Sequence, residues 1–326
     1  MLKVTDVGYS HSKGVDPSGK RIIIESVWGE VQRTDYSRDN LETNGHATQI
    51  GTEKGEWFLG QAALEQSRFV TRRQDPDWIT TPEYLALHLY LLSEMTQATQ
   101  ASIDLVTGLP VGDFGSQGKL KSILQGTHKI TRPNRKAQQI TINKVICLPQ
   151  GLAAVFSEAL DDNGKIKPGP IADGMIGLID IGGRTINVST FKELRAIPTQ
   201  TLSIDAGMWS VLSEVEKRIN AAYPGQNLHG HETIGVLQSG SIKRRGIPQD
   251  VNGIIYDVVS SFARKILGEA SQVWGSAVRL DMLLICGGGA EAIAPVIIEQ
   301  HPQAKMINNP QWANAAGYLK FGKRVE

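Results

Sequence analysis

The sequence predicts an α/β protein made of two halves of similar design, and three observations lead there. Short apolar runs of strand length alternate with stretches of helical periodicity along the whole chain, the pattern of sheets covered by helices. A strand that ends in Asp-x-Gly occurs twice, as Asp6-Val7-Gly8 near the start and as Asp180-Ile181-Gly182 past the middle. Between the two lie residues 161–170, polar and dense in Gly and Pro, which have the composition of a link between domains.

The elements follow in order. Residues 2–7 read as a strand, Gly8 as a turn and 21–27 as a further strand, and Trp57-Phe58-Leu59 closes another β segment before Gly60. Leu85, His88, Leu89 and Leu92 fall at helical spacing and predict a helix over 81–96, with Pro82 in its first turn. A strand at 102–107 is closed by Gly108-Leu109-Pro110 and followed by a short helix at 117–124, a strand at 137–148 and a helix at 150–160. Beyond the link, strands are predicted at 175–179 and 186–191, helices at 208–222 and 254–273, and a strand at 280–286. A helix over 290–300 is expected to be interrupted by Pro295, and the last helix covers about 311–319.

Composition narrows the class. The 326 residues suit two domains of ordinary size, and 40% hydrophobic with 21% charged residues supplies a core without any sign of disorder. Lys and Arg total 34 against 33 Asp and Glu, so a net charge of +1 gives no general attraction to nucleic acid or to an anionic membrane. Neither is expected as a direct partner. The local clusters Arg132/Arg135/Lys136 and Lys243/Arg244/Arg245 read as solvated surface. Cys147 and Cys286 sit inside apolar runs and read as buried strand thiols, not as a disulfide or metal framework. No apolar run has the length of a membrane span, and the chain opens directly into a strand, so a cytoplasmic protein is expected.

Each Asp-x-Gly strand end has a chemical rationale. A glycine after the strand permits a turn with positive φ. Such a turn exposes successive backbone N–H groups that can cradle phosphate oxygens. Gly8, Tyr9 and Ser10 would do so in the first loop, and Gly182, Gly183, Arg184 and Thr185 in the second. Asp6 and Asp180 stand at the strand ends, and two such carboxylates can hold Mg²⁺ through its water shell. Lys13 adds a point charge on the β-phosphate side. One Asp-x-Gly alone is an ordinary turn signal; its duplication, one copy to each half, points to a phosphate ligand.

With these hairpins the chain resembles the actin-like ATPase superfamily. The resemblance extends to Leu148-Pro149-Gln150-Gly151-Leu152-Ala153-Ala154-Val155-Phe156, which is similar to a first connecting helix. Ile285-Cys286-Gly287-Gly288-Gly289-Ala290 resembles the adenosine motif, and the run from Asn309 to Tyr318 a second connecting helix. Thr107-Gly108-Leu109-Pro110-Val111, Trp57-Phe58-Leu59-Gly60 and Ala313-Asn314-Ala315-Ala316-Gly317 look like the ParM-type branch of bacterial, plasmid and archaeal actin-like proteins.

The resemblance implies duplicated actin-like, ribonuclease H-like domains with a nucleotide cleft between them. Domain I would take residues 1–160 with about 305–326, and domain II residues 161–304. It implies an ATPase with ATP, or alternatively GTP, and Mg²⁺ as ligands. Gln150 would position the attacking water, with Asp6 and Asp180 on the metal. Gly287, Gly288, Gly289 and Ala290 would shape the adenosine pocket, and Glu214 and Lys217 would contact ribose and base. For these last two, the bland alternative is a solvated helix face paired with Arg218. The implied role is a nucleotide-dependent filament, self being the partner, that segregates plasmid DNA through a DNA-binding adaptor or serves as a cytoskeletal scaffold.

Two residues depart from the pattern. Ser10 stands where many relatives have a second glycine, and Gln150 where chaperone relatives have Glu. A carboxamide is no strong base but can orient water, which implies slow hydrolysis. His11 reads as structural or exposed, and Trp312 as core. The rival reading is a non-polymerising kinase or phosphatase of the same fold. Asp113 is its one candidate base.

Overall fold

The computed structural model describes residues 1–31, 48–72 and 76–326. The chain divides into two compact units, the first formed by 1–167 with 314–326 and the second by 168–313.

In the first unit the strands are β1 (Leu2–Val7), β2 (His11–Val15), β3 (Arg21–Glu25), β4 (Trp28–Glu30), β5 (Gln49–Thr52) and β6 (Gly55–Leu59). Then come α1 (Gln61–Gln66), β7 (Val70–Thr71), α2 (Pro82–Met95), β8 (Gln100–Leu109), α3 (Gln117–Leu124), β9 (Gly126–Ile130), β10 (Gln138–Pro149) and α4 (Leu152–Ala159). The main sheet has the order β3-β2-β1-β8-β10-β9. β1 pairs antiparallel with β2 and parallel with β8, and β8 pairs parallel with β10. All of β1 is buried, as befits a strand covered on both faces. A smaller sheet, β5-β6-β4-β7, completes the unit.

The second unit contains α5 (Pro170–Asp173), β11 (Met175–Ile181), β12 (Ile186–Lys192), β13 (Arg195–Ile204), α6 (Met208–Ala222) and α7 (His231–Ser239). It continues with β14 (Ser241–Arg244), β15 (Ile247–Asp250), α8 (Asn252–Trp274), β16 (Met282–Cys286), α9 (Ala290–Gln300) and β17 (Ala304–Met306). Its sheet runs β13-β12-β11-β16-β17, with β11 antiparallel to β12 and parallel to β16. That is the β3-β2-β1-β8-β10 arrangement of the first unit over again. The duplication visible in two short motifs therefore extends to the sheets that carry them. The last helix, α10 (Ala313–Val325), returns the chain to the first unit.

Several elements differ from expectation. α2 presents more than one apolar stripe to the core, for Tyr84 through Ser93 and Met95 are all buried. Its first turn is capped by Thr81 Oγ1, which accepts the Tyr84 N–H at 3.3 Å. Helix α9 is not broken at Pro295 but runs through it. Burial of Ile293, Ala294, Val296 and Ile297 around the proline offsets the lost N–H bond. Helix α4 starts at Leu152, so Gln150 and Gly151 form a turn ahead of it, with Gly151 at φ 84°.

The polar stretch at 161–170 begins as an ordered loop. Asp161 Oδ1 accepts the N–H groups of Asn163 and Lys165, and α10 grips the loop through Lys323 Nζ to Asp162 O at 2.9 Å and Arg324 Nη1 to Gly164 O at 3.2 Å. Arg132 is not solvated surface either. Its side chain is largely covered, pairs with Glu94, and places the guanidinium 4.5 Å from the Tyr90 ring centroid. Trp312 is half-buried and outside both main cores, whereas Cys147 and Cys286 are buried on β10 and β16 and form no disulfide. Among the described residues no helix is long and apolar enough to cross a membrane.

Candidate nucleotide site

The first half-site is built at the end of β1. Strand register sets Asp6 opposite Lys13, and Lys13 Nζ reaches Asp6 Oδ2 at 3.2 Å with both side chains largely buried. Gln150 Nε2 donates to the other carboxylate oxygen, Oδ1, at 3.0 Å. A buried carboxylate needs such partners to stay charged. Lys13, expected on a phosphate, is thus first a partner of Asp6.

The hairpin beyond Asp6 is closed by the Gly8 N–H donating to His11 O at 3.1 Å, and Ser10 O accepts the Ser26 N–H at 2.9 Å. The Tyr9 ring stacks on Trp78, with centroids 5.4 Å apart and planes at 21°. His11 is half-buried, with Nδ1 at 3.0 Å from Ser10 Oγ. Burial first, and then the Lys13 ammonium, hold its imidazole below the ordinary histidine pKa.

The second half-site repeats the construction. Gly182 N–H donates to Thr185 O at 3.0 Å, with the buried Asp180 behind it on β11. The hairpin carbonyls are tied down by the start of α6: Met208 N–H reaches Gly182 O at 3.0 Å and Trp209 N–H reaches Gly183 O at 2.9 Å. Arg184 Nη2 lies 3.3 Å from Asp205 Oδ1.

Neither Gly8 nor Gly182 has a φ in the left-handed region, so the expected positive-φ turns are absent. At Gly182 space is the requirement, because an added Cβ would lie 2.7 Å from Thr185 O. Both glycine amides are also consumed inside their hairpins, which leaves the tip residues, Ser10 and Gly183 among them, to meet a ligand.

The glycine triplet has three distinct jobs. Gly287 has φ +92°, gives its N–H to Pro310 O at 3.0 Å, and would place a Cβ 2.4 Å from Ile181 O and 2.6 Å from Asp180 Oδ1. Gly289 donates to Ile181 O at 3.0 Å, and a Cβ there would strike Met208 Cγ at 2.4 Å. Gly288 alone faces space, with Gln311 nearest at 3.8 Å, and Ala290 opens α9. The turn therefore packs against the end of β11 and the head of α6, next to Asp180.

Glu214 and Lys217, expected at ribose and base, have partners on their own helix. On an exposed face of α6, Glu214 pairs with Arg218 at 2.7 Å and with Lys217 at 4.0 Å, and Lys217 is 80% exposed. Sequence reasoning missed the Tyr9–Trp78 stack and Asn314 Oδ1, which accepts the Gly151 N–H at 2.9 Å. Asn314 was legible in the sequence only as part of the Ala313 to Gly317 run, not as a partner of Gly151.

A β-hairpin with a buried carboxylate behind it, present once in each of two sheets of like topology, defines an actin-like fold. Residues 5–152 match the family of actin-like proteins, N-terminal domain, and residues 178–299 match the archaeal actin homologue MreB-like, C-terminal family. Together the two models span most of the chain and place it among the actin-like proteins. It is 24% identical over 331 residues to archaeal actin homologues of Thermoplasma volcanium and Thermoplasma acidophilum, covering 98% of either chain. Among solved structures it is similar to an archaeal actin homologue in complex with ADP, at a TM-score of 0.80 and 22% identity over 99% of both chains. It is also similar to a 15-stranded ParM filament from Clostridium botulinum, at a TM-score of 0.78 and 22% identity over 99% of both chains.

Proposed function

We propose that this protein binds ATP with Mg²⁺, hydrolyses it, and forms filaments while the triphosphate is intact. The observation that carries this reading is the repeated hairpin: Gly8 to His11 behind Asp6, and Gly182 to Thr185 behind Asp180. Each hairpin would offer backbone N–H groups to phosphate oxygens. The ADP complex of one relative and the filament of another support it.

Asp6 and Asp180 suit Mg²⁺ as single carboxylates. That ion keeps several waters and takes one or two carboxylates along with substrate phosphates. Among the described residues there is no cluster of three or more ligating side chains that would hold a bare metal. Bound there, Mg²⁺ supplies charge neutralisation on the transferring phosphoryl group. Gln150 gives its amide N–H to Asp6, so its side-chain carbonyl can accept a hydrogen bond from the attacking water and orient it. The Gly287 to Ala290 turn borders the adenosine, with GTP the alternative nucleotide. The cell biology we favour is cytoplasmic segregation of plasmid DNA through a DNA-binding adaptor, with scaffolding as the alternative.

Bound nucleotide favours the conformation for which it has the higher affinity. A single favoured conformation presents unlike surfaces to its neighbours, and their repeated contact gives an open polymer. Sedimentation and electron microscopy over a concentration series test this. Assembly should appear with ATP or a non-hydrolysable analogue above a critical concentration and decay as ATP is consumed. Tight ATP binding by a protein that stays monomeric in every nucleotide state would favour the kinase or phosphatase reading.

A further inference from the structure

Three hydrogen bonds fix the turn that carries Gln150. Its backbone N–H donates to Leu109 O at 2.8 Å, an extension of the β8–β10 pairing. Its side chain donates to Asp6 Oδ1 at 3.0 Å. The next N–H, that of Gly151, donates to Asn314 Oδ1 at 2.9 Å. Gly151 is the N-cap of α4, at φ 84° and ψ −55°, and no local side chain caps the helix there. The amides of a first helical turn lack intrahelical partners and are ordinarily satisfied by a neighbouring Ser, Thr, Asp or Asn. Here a residue 163 positions away does that work.

Asn314 is itself held on a rigid mount. Along α10, Gly317 lies against α4 so closely that a Cβ would sit 1.6 Å from Ala153 O. Phe321 stacks on Phe156, centroids 5.5 Å apart and planes at 11°. Lys320 Nζ caps the far end of α4, donating to Ser157 O at 2.7 Å and Leu160 O at 2.9 Å. The acceptor oxygen of Asn314 therefore has little freedom relative to α4, and it meets the chain one residue after Gln150.

We infer that Asn314 is a positioning residue for nucleotide hydrolysis: it holds the Gln150–Gly151 turn so that the Gln150 carboxamide bridges Asp6 and the attacking water. This rests on the hydrolytic reading above. Misplacing a group that orders the reacting water costs rate in the chemical step and spares substrate affinity.

The test uses the full chain, with steady-state hydrolysis of Mg-ATP, nucleotide calorimetry and thermal melting. Asn314→Ala should lower kcat about 10-fold with KM and ADP affinity unchanged. Asn314→Asp keeps an oxygen for the Gly151 N–H and should restore most of the rate. Adding Asn314→Ala to a Gln150→Ala protein should slow it no further, since the two act as one unit. Should the alanine variant melt below the assay temperature, Asn314→Leu, similar in size and without an acceptor, reads the same loss.

Wild-type kcat in the alanine variant, or an equal loss in both backgrounds, would overturn the role of Asn314 alone. A Gln150→Ala protein that hydrolyses at the wild-type rate would overturn the hydrolytic role of Gln150 and this inference with it.

Discussion

The Gln150 carboxamide nitrogen lies 3.0 Å from Asp6 Oδ1, a pairing that joins the turn before α4 to the end of β1. The bond to Asp6 fixes which end of the carboxamide is the amide, so the side-chain carbonyl is set to accept a hydrogen bond from a water. Gln150→Ala should slow ATP hydrolysis by about 10²-fold, the scale for losing one group that acts in the transition state. Affinity for ADP should change little. Single-turnover kinetics decide it: an unchanged rate would make Gln150 a purely structural partner of Asp6.

Gly287 and Gly288 should respond oppositely to the same substitution. Gly287→Ala forces an L residue to φ +92° and drives a methyl into Ile181 O and Asp180 Oδ1. A loss of about 1–3 kcal/mol is expected from the strain, together with weaker nucleotide binding as Asp180 is displaced. Gly288→Ala meets nothing closer than Gln311 at 3.8 Å and should leave the melting temperature unchanged. Parallel melts of the two variants, with calorimetry against ADP, make the comparison; equal stability would show that the Gly287 turn relaxes freely.

Gly317→Ala sets helix propensity against packing. In a free helix the change stabilises by about 1 kcal/mol. In α10 the new Cβ would be 1.6 Å from Ala153 O, so α4 and α10 must separate. Overpacking of this kind costs about 1–3 kcal/mol, so the net sign should be destabilising in urea titrations. A more stable variant would mean that the two helices part at no cost.

His88 makes stability pH-dependent. It is fully buried on α2, with Nδ1 at 2.7 Å from Thr5 Oγ1, and burial lowers its pKa from 6.5 to about 3. The folded state keeps the ring neutral while the unfolded chain takes up a proton below pH 6.5. The contribution is therefore fully present above that value and is lost as pH falls, levelling off near pH 3. Between pH 7 and pH 5 this amounts to about 2 kcal/mol. Chemical denaturation of wild type and His88→Gln at several pH values isolates it. Parallel curves for the two proteins would rule the effect out.

The Tyr9–Trp78 stack provides an optical reporter of the first hairpin. Trp78 also stacks on Trp28, centroids 6.1 Å apart, and meets Tyr84 edge-on at 4.6 Å. A nucleotide that engages the hairpin should alter the surroundings of Trp78 and hence the intrinsic fluorescence. Trp78→Phe should remove most of that amplitude while ADP still binds by calorimetry. A response that survives intact in the variant would assign it to other tryptophans.

What could be read from the sequence was encoded locally. Asp6 and Asp180 stood out because an apolar strand, an Asp and a Gly lie within a few residues of one another, and the extent of α6 and of α3 was legible from periodicity alone. The repetition of that local signal was enough to predict two like halves. The tertiary structure alone decided which backbone groups those motifs spend internally. Gly8 and Gly182 proved to be hairpin closers, while positive φ fell on Gly151 and Gly287. It also chose the partners of Gln150, which lie 144 residues back at Asp6 and, through Gly151, 163 residues ahead at Asn314. Such choices depend on which distant backbone or side chain packs within hydrogen-bond reach, and no periodicity or turn signal in a window of ten residues carries that information.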